Sequence, residues 1–138
     1  MIDQIEAALI AKLSPVLPKF QVAAFPDKPE HYSLTGLEGA VLIRYLGSVY
    51  QTGQEFGPTS LQSLEEVPGA RVLSFELALL TRGLGQHQGV YPLLQQVLEQ
   101  LTGFAPAGAS ELLPVKDGFM SYAQGIWCHF IHFTTTVP

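Results

Sequence analysis

The chain has 138 residues, about the size of one domain, and 47% of them are hydrophobic, so it can bury a core without help from disulfides. Only 14% are charged, against roughly 25% in an average soluble domain, so either neutral polar residues cover the surface or an oligomer hides part of it. A net charge of −5 and the absence of a local basic patch argue against a general nucleic-acid-binding protein, and no apolar run approaches the roughly 20 residues of a membrane-spanning helix.

Three elements are predicted in the first third of the chain. Apolar residues recur every three or four positions from Ile2 to Leu13, which indicates an amphipathic helix. The segment from Phe20 to Phe25 predicts a short strand, and the segment from Ala40 to Leu46 predicts a second one. The core-facing residues of this second strand are expected to be Val41, Ile43 and Tyr45.

The segment from Gly47 to Gly69 predicts an extended arm. It has no clean hydrophobic period and is longer than an ordinary hairpin connection. Its hydrophobic residues, which include Tyr50 and Phe56, are too many for a plain linker. We therefore expect the arm to dock onto a neighbouring subunit or onto its own sheet.

The second half predicts three more strands and a helix. Arg71 to Thr81 is a long strand with one wholly apolar parity, and the helix that begins at Val90 or Tyr91 is expected to bury Leu94, Val97, Leu98 and Leu101. Leu112 to Lys116 predicts a short strand before a turn at Asp117-Gly118, and Ile126 to Thr135 predicts the last strand.

The predicted fold is α+β, with the element order α-β-β-β-α-β-β. Short connections between the strands favour a mainly antiparallel sheet of about five strands, with both helices packed on one face. We expect residues 1–138 to form a single domain.

No catalytic, cofactor-binding or metal-ligating residue is predicted, and the chain is not expected to be an enzyme. The glycine-rich loop around His87 lacks the lysine and the serine or threonine of a phosphate loop. His129 and His132 lie three positions apart in a strand, which places them on opposite faces of the sheet and excludes a shared metal. Cys128, the only cysteine, is expected to be a buried thiol, and Trp127 a core aromatic residue.

Arg44 and Glu76 occupy the non-core parity of two long strands that should be neighbours. Three interpretations remain open: that the two side chains pair across the sheet, that they face an adjacent subunit, or that each is separately solvated. With the hydrophobic residues of the arm they form the predicted subunit interface, which consists of Arg44, Tyr50, Phe56 and Glu76.

The chain resembles a family of small proteins of Mu-like bacteriophages and prophages that are encoded among the head-to-tail joining genes. The resemblance rests on IEAALIAKL, on AFPDKPEHYSLTG with GAVLIRYLGSVY, on ELALLTRGLGQHQGVYPLLQQVLEQLTGF, and on LLPVKDGF followed by GIWCHFIHF. These segments cover most of the chain. None is a catalytic signature, but their order and spacing are specific.

The order of elements is also similar to that of the tail-terminator proteins of long-tailed phages. This resemblance implies a homo-oligomer, in that family a hexameric ring, which caps the tail tube and meets head-completion proteins while DNA passes through it. It implies assembly in the host cytoplasm and a place in the neck or tail of the virion. Two alternatives remain, another structural subunit of a contractile tail or baseplate and a small-molecule-binding α+β oligomer.

Overall fold

A computed structural model describes residues 1–26, 38–51, 69–82 and 89–138. Within these residues two α-helices, α1 (Ile2–Leu13) and α2 (Val90–Leu101), accompany five strands. The strands are β1 (Phe20–Ala24), β2 (Gly39–Tyr50), β3 (Arg71–Arg82), β4 (Leu113–Ala123) and β5 (Ile126–Val137). The element order and the α+β class are those that the sequence predicts.

The described strands form one sheet in the order β1-β2-β3-β5-β4. β1 pairs with β2 in parallel, and the pairs β2–β3, β3–β5 and β5–β4 are antiparallel. The sheet is therefore mixed rather than purely antiparallel. The chain can return to a parallel position beside β1 because the connection from β1 to β2, residues 25–38, is longer than a hairpin turn.

The main core lies between one face of the sheet and both helices. The apolar parity of β3 is buried in this core, as predicted, and so are Val41 and Ile43 of β2, while Tyr45 is partly buried against it. The helices contribute the fully buried side chains Ile5, Leu9, Leu13, Val90, Leu93, Val97 and Leu101. In α2 the buried stripe is centred one residue away from the predicted one, so Leu94 and Leu98 pack only at its flanks.

The other face of the sheet carries no described helix. Its buried apolar residues are the small or medium side chains Ala40, Leu42 and Ala78. Gln124-Gly125 makes the tight turn between β4 and β5, with φ values of +55° and +79°, as a two-residue hairpin of this hand requires.

Two of the predicted boundaries are wrong. Gly47 to Tyr50 continue β2 past an irregularity between Tyr45 and Gly47, so this part of the predicted arm is strand. Residues 52–68 of the arm lie outside the described residues. Asp117-Gly118 is not a turn but the middle of β4. A Cβ on Gly118 would come 3.2 Å from the Phe130 ring, so glycine there makes room for a cross-strand aromatic side chain.

Candidate subunit interface

Arg44 and Glu76 pair across the sheet. They are directly opposed in the β2–β3 ladder, and the guanidinium of Arg44 donates to Glu76 Oε1 through Nε at 2.8 Å and through a terminal nitrogen at 2.7 Å. Of the three interpretations, the structure supports cross-strand pairing. The Arg44 side chain remains 45% exposed and lies 5.0 Å from the centre of the Phe25 ring, so part of it is accessible to a neighbour.

His132 is the second partner of Glu76. Its Nε2 atom lies 2.8 Å from Glu76 Oε2, so the two carboxylate oxygens have different partners on the two neighbouring strands. Glu76 is only 5% exposed, and a buried carboxylate needs such partners to offset its lost hydration. The sequence alone suggested for His132 only the role of a metal ligand. Its position opposite Glu76 depends on the β3–β5 register, which the sequence does not specify.

Tyr50 lies at the end of β2 beside a second polar cluster. Its ring is 55% exposed, and the guanidinium carbon of Arg71 lies 5.4 Å from the ring centre. Arg71 Nε donates to Ser48 Oγ at 2.8 Å, and Arg71 also donates to the Tyr45 hydroxyl at 3.1 Å. The hydrogen bond with Ser48, together with the nearby Arg71, lowers the pKa of Tyr45 below its ordinary value of 10.0.

The structure thus brings Arg44 and Glu76 together, places Tyr50 in a separate cluster at the end of the β2–β3 pair, and leaves Phe56 outside the described residues. The glycine-rich loop around His87 also lies outside them. His129 and His132 lie on opposite faces, because His129 pairs with core-facing Leu79 and His132 with Glu76. Among the described residues no group of three potential metal ligands is found.

β4 is the region that sequence reasoning missed. It forms an edge of the sheet, and ten of its eleven residues are exposed, on both faces of the strand. Its exposed apolar side chains, between 44% and 60% accessible, are Leu113, Val115, Phe119, Met120 and Tyr122. A large apolar edge of this kind is unusual in a monomeric protein, which makes β4 a candidate binding surface.

The distal part of the β4–β5 hairpin carries an aromatic cluster. Tyr122 packs against Trp127 with ring centres 4.3 Å apart, and Phe119 lies 6.0 Å from Trp127 and 5.5 Å from His129. The prediction that Trp127 is a core aromatic residue is wrong, because the residue lies outside the main core and is half-buried in this hairpin. Apolar residues on both sides of Asp117-Gly118 could have indicated this surface in the sequence. The turn wrongly predicted at Asp117-Gly118 separated them into two segments.

Cys128 is half-buried on the opposite face of the same hairpin. Its Sγ lies 3.7 Å from the Sδ of Met120. Burial is the main cause that raises the pKa of the Cys128 thiol above its ordinary value of 9.0, and the negative charge of Glu76 adds to it. The thiol is thus kept protonated near neutral pH, which disfavours a role as a nucleophile.

None of the helices in the described part of the chain is long and apolar enough to cross a membrane. The sequence profile of the Gp37 protein family, a family of phage-related proteins, matches residues 9–138, from the middle of α1 to the last residue. No curated protein matches the chain significantly.

Proposed function

The chain belongs to the Gp37 protein family of phage-related proteins, and from this membership and the exposed β4 edge we propose that it is a tail terminator of the head–tail neck. In this role several copies form a ring that caps the tail tube, stops its polymerisation and presents a surface to the head. The ring, the tube and the head-completion proteins are its partners in the proposal. No catalytic step is part of the proposed role.

The observation that carries the proposal is the exposure of β4. Apolar side chains that remain about half exposed in the folded chain gain little from folding, so their presence calls for a partner. A ring needs a heterologous interface, in which two different patches of each subunit meet. The β4 edge with the hairpin cluster supplies one of these patches, and the net charge of −5 suits a channel through which DNA moves without sticking.

Electron microscopy of tails made without the protein tests the proposal. We expect tubes of uncontrolled length, and restoration of normal length by the wild-type chain. Tyr122→Asp should fail to restore it, because a carboxylate would enter the proposed interface. Tyr91→Asp on α2 is the matched control, since Tyr91 is 50% exposed against 47% for Tyr122. Tails of normal length in the absence of the protein would contradict the proposal.

A role as another structural subunit of a contractile tail or baseplate would use the same exposed edge, and binding to baseplates rather than to tube ends would identify it.

A small-molecule-binding role has weaker support. The described residues border a shallow, mostly apolar pocket of about 350 Å³, lined by Ala70, Gly108, Ala109, Ser110, Thr136, Val137 and Pro138. None of these side chains is an acid, a base or an imidazole that would bind a charged ligand.

A further inference from the structure

The two edges of the described sheet run in opposite directions. β1 is parallel to β2, and each of the three pairs that follow is antiparallel, so β4 points opposite to β1. A rotation about an axis parallel to the strands preserves strand direction. Copies arranged in a ring around such an axis can therefore place β4 of one subunit beside β1 of the next in antiparallel pairing.

The regular parts of the two edges are similar in length. The β4–β5 register shifts between Pro114 and Lys116 and again between Phe119 and Ser121, which leaves residues 116–119 as an uninterrupted run. β1 has five residues, Phe20–Ala24, and none is charged or a proline. Pro114, Lys116 and the two register shifts of β4 all hinder the unlimited addition of further strands. The edge of β4 is therefore suited to pairing with one short strand.

Pairing of β4 with a second β4 is less favourable. When two β4 strands pair in antiparallel fashion about a two-fold axis, the residues directly opposite each other must point to the same face of the sheet. Centring the pair on Asp117 places two carboxylates directly opposite each other, which destabilises it. Centring the pair on Gly118 places Lys116 opposite Met120, at the irregularity of the ladder.

β1 offers outward-facing backbone groups to such a partner. The hydrogen bonds from Phe25 N–H to Ile43 O and from Glu38 N–H to Lys19 O show that the odd-numbered residues of this strand bond to β2. Since alternate residues of a strand direct their amides to opposite sides, the N–H groups of Val22 and Ala24 face away from β2. Within the described residues, no strand pairs with this side of β1.

We infer that the β4 edge of one subunit pairs in antiparallel fashion with the β1 edge of the next, so that a continuous sheet runs around the ring. The inference rests on the proposed function, because it presupposes a ring of identical copies. It names both patches of the heterologous interface. It also explains why β4 is apolar on both faces, since a strand added at its edge lets the neighbouring subunit cover the two faces.

Cross-linking between two single-cysteine chains tests the pairing. In a Cys128→Ser background, one chain carries Ala24→Cys and the other Asp117→Cys, and a short bismaleimide is added to assembled protein. We expect a dimeric cross-link only when the two chains are mixed. A cross-link with the Asp117→Cys chain alone would show β4–β4 pairing and overturn the inference. If rings form but the mixed chains give no cross-link, the inferred β4–β1 pairing is wrong and the proposed function still stands. If tails reach normal length without the protein, both the pairing and the proposed function are wrong.

Ala24→Pro is an independent test that uses the backbone. Proline removes the outward N–H of Ala24 without removing a hydrogen bond to β2, so the monomer should keep its melting temperature. We expect each subunit contact to weaken about tenfold, as the loss of one interfacial hydrogen bond implies. Ala24→Ser, which keeps the N–H group, is the control. Equal assembly of the proline variant and the wild type, measured by sedimentation, would contradict the inference.

Discussion

β3 and β4 are strands of similar length that meet opposite environments. β3, at the centre of the sheet, has neighbours on both sides and buries one whole face under the helices. Within the described part of the chain, β4 has a single neighbouring strand and exposes both faces. Folding of one chain explains the composition of β3, because its apolar residues form the core. It does not explain β4. The difference is the reason why we propose β4 as a contact with another molecule.

The largest expected difference in stability is between substitutions of two phenylalanines in β5 and β4. Phe133 is fully buried in the core, while Phe119 is 56% exposed. Phe133→Ala should lower the free energy of unfolding of the monomer by about 3–5 kcal/mol, and Phe119→Ala by about 1 kcal/mol or less. Urea unfolding of both variants measures this. Equal destabilisation would mean that β4 serves folding as much as the core does.

Next in size is the loss of the Arg44–Glu76 ion pair, which lies on the face of the sheet opposite to α1 and α2. Arg44→Ala leaves the buried carboxylate of Glu76 with His132 alone, so we expect a loss of about 1–3 kcal/mol of unfolding free energy. Lys19→Ala is the control, because the Lys19–Glu38 pair is 3.7 Å long and largely exposed and should contribute little.

Thermal and urea unfolding distinguish the two ion-pair variants, and sedimentation reports on assembly. Similar small effects of Arg44→Ala and Lys19→Ala on stability would show that the Glu76 cluster is not a structural centre. An Arg44→Ala variant that assembles like the wild type would remove Arg44 from the predicted subunit interface.

A smaller effect is expected from a methyl group at Gly118. The added Cβ would lie 3.2–3.3 Å from the Phe130 ring, so Gly118→Ala should cost about 1 kcal/mol as the ring moves aside. Gly89→Ala is the control, since its added Cβ meets no described atom within 4 Å apart from its chain neighbours, and its φ of −62° suits alanine. If the Gly118→Ala variant is as stable as the wild type, Phe130 does not require a glycine opposite it.

The smallest effect concerns Cys128 and pH. Its pKa is raised in the folded chain, so the protonated thiol favours folding. This contribution is complete below the ordinary pKa of the unfolded thiol, 9.0, and is lost as the pH rises through the higher pKa of the folded one. Stability should therefore fall slightly more above pH 9.0 in the wild type than in Cys128→Ala. Parallel pH profiles from thermal unfolding would contradict the assignment.

The sequence predicted the parts of the fold that hydrophobic period determines. The spacing of Ile5, Leu9 and Leu13 and the apolar parity of β3 both depend on one core, and both predictions are confirmed. Asp117-Gly118 misled because this pair is typical of turns, whereas here the glycine makes room for Phe130, a contact between distant positions. His132 was missed as a partner of Glu76 for the same reason, since register is a property of the folded sheet.

Hydrogen exchange of β4 amides, before and after assembly, tests most directly whether this edge is an interface. The comparison requires the monomer and the assembled or tube-bound protein under the same conditions. We predict that those amides of Lys116–Phe119 that point away from β5 become strongly protected on assembly, while the amides of this run that already bond to β5, and those of β3, change little. Unchanged exchange of β4 in an assembly of established size would contradict the account.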